Sequence, residues 1–252
     1  MTDLRYVTAP DHVAGCDLGP ATVLINYRTG GVHTLIGDSA RWWADLAASG
    51  DTSTATALDP PTASVLLKQL RTAELLTATD RPRAWEPPRT AQPWRLVFGT
   101  EEAPEAHTPT ARTSGYLVIV AGVALAITLA IKHVGPAGTR LRRLLRLVDW
   151  ACRRAAHPAS SAQALHAVNA VRRVGQFAPG RAACLEESVG AVLTLAALRR
   201  RVTWCHGVRG DPIRLHAWIE STDAGPVAEP PSTRHYTILR TIPERRQGGG
   251  QP

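Results

Sequence analysis

Gly180-Arg-Ala-Ala-Cys184-Leu-Glu-Glu-Ser188, followed by Val202-Thr-Trp-Cys205-His-Gly-Val208 and Ile213-Arg-Leu-His216-Ala-Trp-Ile-Glu220, decides the fold of the C-terminal half. Pro179-Gly180 breaks any preceding helix. From Cys184 the apolar residues Leu185, Val189, Val192, Leu193, Ala196 and Ala197 recur at helical spacing. Arg199, Arg200 and Arg201 are expected in the last turn of that helix, where cations suit the dipole. Cys184 then opens the helix, where unpaired N–H groups and the positive dipole end suit a thiolate. Glu186 and Glu187 oppose this, so a cationic partner is needed to outweigh them. The two following segments alternate in polarity around Arg209-Gly-Asp-Pro212 and read as a hairpin that carries His216.

Taken alone, a cysteine among alanines and leucines is a small buried hydrophobe. The histidine-bearing strand behind it changes the reading, because a thiol and its base are brought together by folding rather than by adjacency. A helix carrying the thiol and then strands carrying the histidine is the layout of papain-like and transglutaminase-like enzymes. Cys205, His206 and His235 lack Cys-x-x-Cys or His-x-x-x-His spacing, so no metal site is expected. Four cysteines, widely separated and without a signal peptide, fit a reducing cytoplasm.

Residues 141–242 resemble the B proteins of lasso-peptide biosynthesis, whose catalytic half is a transglutaminase-like cysteine protease. The resemblance rests on the Cys-Leu-Glu start of an apolar helix, the arginine-rich helix end and the His-Ala-Trp strand closing on Glu220. It implies Cys184 as nucleophile and His216 as general base and acid. The family's third member, an aspartate about a dozen residues beyond the histidine, is missing. Glu229 of Gly225-Pro-Val-Ala-Glu229 is taken for that role over Asp223, which lies in the turn Ser221-Thr-Asp-Ala-Gly225. Glu187 is a second departure, since relatives carry a basic or polar residue there.

The first eighty residues differ in character. Val13–Leu18, Thr22–Tyr27 and Val32–Ile36 read as strands. Asp38 is expected to cap a helix through Leu46, and Pro61 to start another that runs through Leu70 to Leu75-Leu76. Three strands followed by helices resemble the winged-helix-like PqqD-type domains that bind leader peptides by adding a strand to a sheet edge. The resemblance implies Val32, His33, Thr34 and Leu35 as the docking strand and Leu66, Leu67 and Leu70 as the groove. Trp42 and Trp43 cannot share one face of a helix, so one is expected to be partly exposed.

The expected organisation is therefore α+β: a recognition domain over residues 1–80, a proline-rich linker over 81–113 and a catalytic domain over 114–245. Trp85 and Trp94–Phe98 are expected docking points of the linker. The uncharged run Gly115–Ile131 is short for a membrane span, ~20 residues being usual. A span would also put the two domains on opposite sides of a bilayer, so a buried helix is expected, with peripheral membrane contact as the fallback. The net charge of +8 invites a nucleic-acid reading. The arginines, however, cluster on helices without interleaved aromatics or a phosphate loop.

The resemblance implies a leader peptidase that binds a precursor and frees its core, with an asparagine-synthetase-like cyclase as partner. No cofactor motif is present, and any ATP dependence would come through that partner. The alternative is an inactive leader-binding scaffold.

Overall fold

The computed structural model describes residues 5–91, 114–178, 182–210 and 212–244. The chain forms two units, Met1–Pro93 and Trp94–Pro252. The architecture is α+β, with a four-stranded sheet in each unit. Pro179, Gly180, Asp211 and the Trp94–Phe98 segment lie outside the described residues.

In the first unit, β2 (Val13–Asp17), β3 (Ala21–Asn26) and β4 (Val32–Ile36) form an antiparallel meander, close to where the alternating apolar residues put it. β3 is buried along its whole length. A short pair, β1 (Val7–Thr8) with β5 (Thr77–Ala78), lies apart from this sheet. Helix α1 (Asp38–Ser49) and helix α2 (Pro60–Thr72) complete the core around Leu24, Leu46, Leu70, Leu75 and Leu76. Asn26 is fully buried, and its side-chain amide donates to the carbonyls of Ala73 and Glu74. That clamp fixes the end of α2 against β3.

Several local expectations are corrected here. Asp38 does not cap α1; Gly37 precedes the helix, and Asp38 pairs with Arg41 instead. The cap of α2 is Asp59, whose carboxylate accepts from Thr62 N, with Pro60 and Pro61 in the first turn where no donor is needed. The helix ends at Thr72, and Leu75-Leu76 follow it as core residues in irregular chain.

Trp42 and Trp43 are both buried, at 1% and 2% exposure. The reason lies in residues 81–91, which were expected to be linker. Trp85 packs edge-on against Trp43 with ring centroids 5.7 Å apart, and its backbone N–H donates to the Ala47 carbonyl. Gly50 ends α1 with φ of 72°, and a Cβ there would stand 2.5 Å from Arg83 N, so the chain crosses in backbone contact. β6 (Arg89–Thr90) then pairs parallel to β2, giving the order β4-β3-β2-β6, so that among the described residues β4 is an edge strand with one side unpaired.

The second unit begins with α3 (Gly115–His133) and α4 (Arg140–Arg154). There follow β7 (His157–Pro158), α5 (Ser161–Gly175), α6 (Cys184–Ala197), β8 (Arg200–Arg201), β9 (Thr203–Arg209), β10 (Arg214–Ser221), β11 (Gly225–Pro226) and β12 (Thr237–Ile242). The sheet runs β11-β10-β9-β12, antiparallel throughout, with α6 lying on β10 and β9. α6 ends at Ala197, earlier than expected. Arg199 takes a left-handed φ of 57°, and Arg200 and Arg201 pair with β7, so the arginines lie outside the helix.

α3 packs against α4, α5 and α6 through Ala121, Ala124, Leu125 and Thr128. By length and composition it is apolar enough to cross a membrane, and only 22% of its most apolar window is buried. The expected buried helix is thus buried along one face, and Tyr116, Ile119, Val123 and Ile127 on the other are exposed.

Candidate active site

Burial already separates the four thiols. Cys16, Cys152 and Cys205 are buried, while Cys184 is part-exposed at the start of α6. Burial, with the nearby Asp149 charge, pushes the Cys152 thiol up to about 11, which leaves it inert at neutral pH. The first turn of α6 is held by its own acid: Glu186, 2% exposed, accepts from Ala183 N at 2.9 Å and pairs with Lys132 at the end of α3. Glu187 pairs with Arg172 of α5 at 3.1 Å. Both carboxylates that counted against a thiolate in the sequence are therefore matched by cations.

The sheet supplies the base. Residues i, i+2 and i+4 of a strand share a face, so His216, Trp218 and Glu220 stand in line on β10. Trp218 stacks on the His216 ring at 5.7 Å and 14°, and its Nε1 donates to Glu220 at 2.9 Å. Tyr236 stands 5.3 Å from the same imidazole, with the Arg209 guanidinium over its own ring. Opposite His216 on β9 is Gly207; a Cβ there would meet the Thr237 carbonyl at 2.8 Å and the Trp218 indole at 3.0 Å. Trp204 of β9 donates to Ser188 Oγ at 3.0 Å, which docks the nucleophile helix on the sheet.

The structure brings Cys184, His216 and Glu229 together. His216 Nε2 lies 2.7 Å from Glu229 Oε2, and Cys184 is close enough to act on the proton affinity of the same imidazole. With Nε2 committed to the carboxylate, Nδ1 is the nitrogen left for the thiol. Burial would lower the affinity of His216 for a proton, but the hydrogen bonds and negative charge of Cys184 and Glu229 overcome it and push the imidazole up to about 9. His206 goes the other way, down to about 4, because of burial and then the charge on His216. Asp223 is exposed and accepts from Ser161 N at the start of α5, away from the imidazole. Among the described residues no group of three or more His, Cys, Asp and Glu is placed to hold a metal.

Arg172 and Lys132 escaped the sequence reading, which treated the arginines as helix surface. A signal existed. Arg172 continues the buried stripe Ala164–Val168 at four-residue steps, and Lys132 continues Ala124–Thr128 in the same way. A cation on an apolar stripe needs a buried anion.

In the first unit, a groove of about 480 Å³ is lined by His33, Thr34, Leu35, Ile36, Ser39, Leu66, Gln69 and Leu70, between the edge strand β4 and α2. Five of the seven residues expected to contact a leader line it. Val32 is exposed outside the lining, and Leu67 turns toward the core.

The match to a known family coincides with this geometry. Residues 123–241 match the family model of the transglutaminase-like superfamily. The second unit holds a transglutaminase-like domain. The match runs from inside α3 to β12 and takes in Lys132, Arg172, Cys184, His216 and Glu229. No curated protein and no solved structure matched the chain. A transglutaminase-like domain is compatible with cysteine-protease-like chemistry, and the Cys184–His216–Glu229 arrangement supplies the groups such chemistry needs.

Proposed function

We propose that this chain is a leader peptidase in the maturation of a ribosomally made, modified peptide of the lasso kind. The observation that carries the reading is the Cys184–His216–Glu229 contact set in a chain whose other unit offers a groove beside an edge strand. The leader of the precursor adds to β4 by backbone hydrogen bonds and lays apolar side chains against Leu35, Leu66 and Leu70. This is the PqqD-like role.

The transglutaminase-like domain then cuts at the end of the leader. Cys184 Sγ attacks the carbonyl carbon of the scissile peptide. As the C–N bond breaks, His216 gives its proton to the leaving amine, and the leader remains as a thioester on Cys184. Water attacks the thioester, His216 takes the water proton, and the C–S bond breaks. The products are a leader carboxylate and a core with a free amino end. Glu229 holds the imidazole in one orientation and stabilises its charged form. The core passes to an asparagine-synthetase-like cyclase in the cytoplasm, and any ATP requirement belongs to that partner.

The test is incubation of the purified chain with a precursor, followed by mass spectrometry under acid quench. Cleavage at a single junction, with a leader adduct on the peptide containing Cys184, is expected. Cleavage with no adduct on that peptide, or no cleavage when the cyclase and ATP are supplied, overturns the reading.

A further inference from the structure

Arg172 is part-buried, its side chain 14% exposed, and each guanidinium nitrogen has its own acceptor. Nε donates to Glu187 Oε2 at 3.1 Å, Nη1 to the carbonyl of Ala228 at 2.7 Å and Nη2 to Glu229 Oε1 at 2.9 Å. The other oxygen of Glu229 holds His216 Nε2 at 2.7 Å and faces Thr233 Oγ1 at 3.4 Å. A charge-assisted bond at each oxygen stops the carboxylate from turning.

The backbone adds a second requirement. Ala228 has φ of 55°, a left-handed conformation that a side chain disfavours, and it immediately precedes Glu229. The Arg172 bond to its carbonyl is one of the contacts that keep it there. Neutralising one carboxylate would need a single contact. Three acceptors on two segments need the rigid fork that arginine has and lysine lacks.

We propose that Arg172 is the positioning residue of this site: its guanidinium holds Ala228 and the Glu229 carboxylate in the orientation that meets His216, and ties them to the helix carrying Cys184. The inference rests on Cys184, His216 and Glu229 being the reacting set. It accounts for both departures from the family pattern. Glu187 is the third acceptor of the fork, and Glu229 is the longer acid that the fork holds in place.

The direction of a proton-affinity change separates positioning from mere charge. His216 faces Cys184 of α6, Glu229 of the turn after β11 and Tyr236 ahead of β12, with Arg209 and Arg214 near the tyrosine, while His206 of β9, paired with Ala217, lies on the other face of the sheet and acts only through charge. If Arg172 acted only as a nearby cation, its removal would leave Glu229 fully available and raise the affinity of His216 for a proton. If it positions Glu229, its removal frees the carboxylate, burial dominates and the affinity falls.

The experiment uses the full chain with ¹³C-labelled histidine and follows the His216 ring by NMR across pH. In parallel, the pH profile of Cys184 alkylation by iodoacetamide is recorded. In Arg172→Met the midpoint of His216 is expected to fall at least tenfold in proton affinity from about 9, with the alkylation profile moving alike. Peptide turnover should drop roughly a hundredfold in kcat with little change in KM. Arg172→Lys keeps the charge and gives the reading where the methionine variant does not fold; it should shift the same way by less. An unchanged or raised midpoint in a folded variant, or a lysine variant that titrates like wild type, overturns the proposal. Should the chain cleave no precursor, the proposed function falls, while NMR and alkylation still decide the role of Arg172.

Discussion

The two units handle specificity in opposite ways. In the transglutaminase-like domain, α3, α5, α6, the sheet and the turn after β11 converge on a few atoms, and Glu186, Glu187 and Glu229 near Cys184 are each matched by a cation. The first unit presents an open groove beside a strand edge, where contacts are spread over eight residues. A constellation of atoms fails when one atom is removed or turned, whereas a spread surface loses affinity in small steps. The same size of substitution should therefore have effects that differ by orders of magnitude.

The largest effect is expected at the thiol. Cys184→Ala should lower leader removal by on the order of 10⁶, as loss of a nucleophile does in other proteases, and leave precursor binding intact. Cys16→Ala, Cys152→Ala and Cys205→Ala should keep the chemistry. A rate assay alongside leader binding by fluorescence anisotropy checks both halves, and a cleaving Cys184→Ala chain would break the contrast at once. Next comes the carboxylate. Glu229→Gln should reduce kcat by roughly 10³–10⁴, the scale set when a triad acid becomes an amide, whereas Asp223→Asn should be close to silent. The reverse ranking in steady-state kinetics would move the site.

Cutting the first unit at residue 80 removes Trp85 and β6, which cover Trp43 and pair with β2. Losing that indole should cost about 3 kcal/mol of stability, so a fragment of residues 1–80 should unfold at lower temperature than one of residues 1–93 and bind leader more weakly by the fraction of it that is unfolded. Equal melting temperatures would show that the cover is dispensable.

A smaller change follows pH. His216 is raised from 6.5 to about 9, so its contribution to stability is fully present below 6.5 and is lost as pH rises through about 9. The proton it must donate goes with it. Turnover should fall about tenfold per unit above that point, while leader binding to the first unit stays flat. A binding curve that falls in parallel would tie the two units together. The smallest effect is expected on the edge strand: Thr34→Pro removes one backbone donor and should raise KM about tenfold with kcat unchanged.

The same contrast governs what could be read from the sequence. The meander β2-β3-β4 was legible because alternation over half-buried strands is local, and so were Cys184 at a helix start and His216 on a strand. Trp42 and Trp43 were misread because their cover arrives from more than forty residues downstream, in a proline-rich segment with no periodicity of its own. Arg199–Arg201 suited a helix end by charge, yet a left-handed turn at Arg199 released them into a strand. Glu187 looked unfavourable because the sequence shows its charge and hides Arg172, which reaches it from α5. Local propensity gives the elements, and pairing across elements decides what their charged residues do.

The left-handed Ala228 also bears on how much heat the protein tolerates. Alanine in that conformation costs about 1–2 kcal/mol relative to a residue without a Cβ, so Ala228→Gly is the change that a screen for thermal resistance would select. Glycine would relax the turn and widen the range of directions open to the acid that follows it. A variant picked for its melting temperature alone would thus trade turnover for durability, and the cost would go unseen until activity was measured.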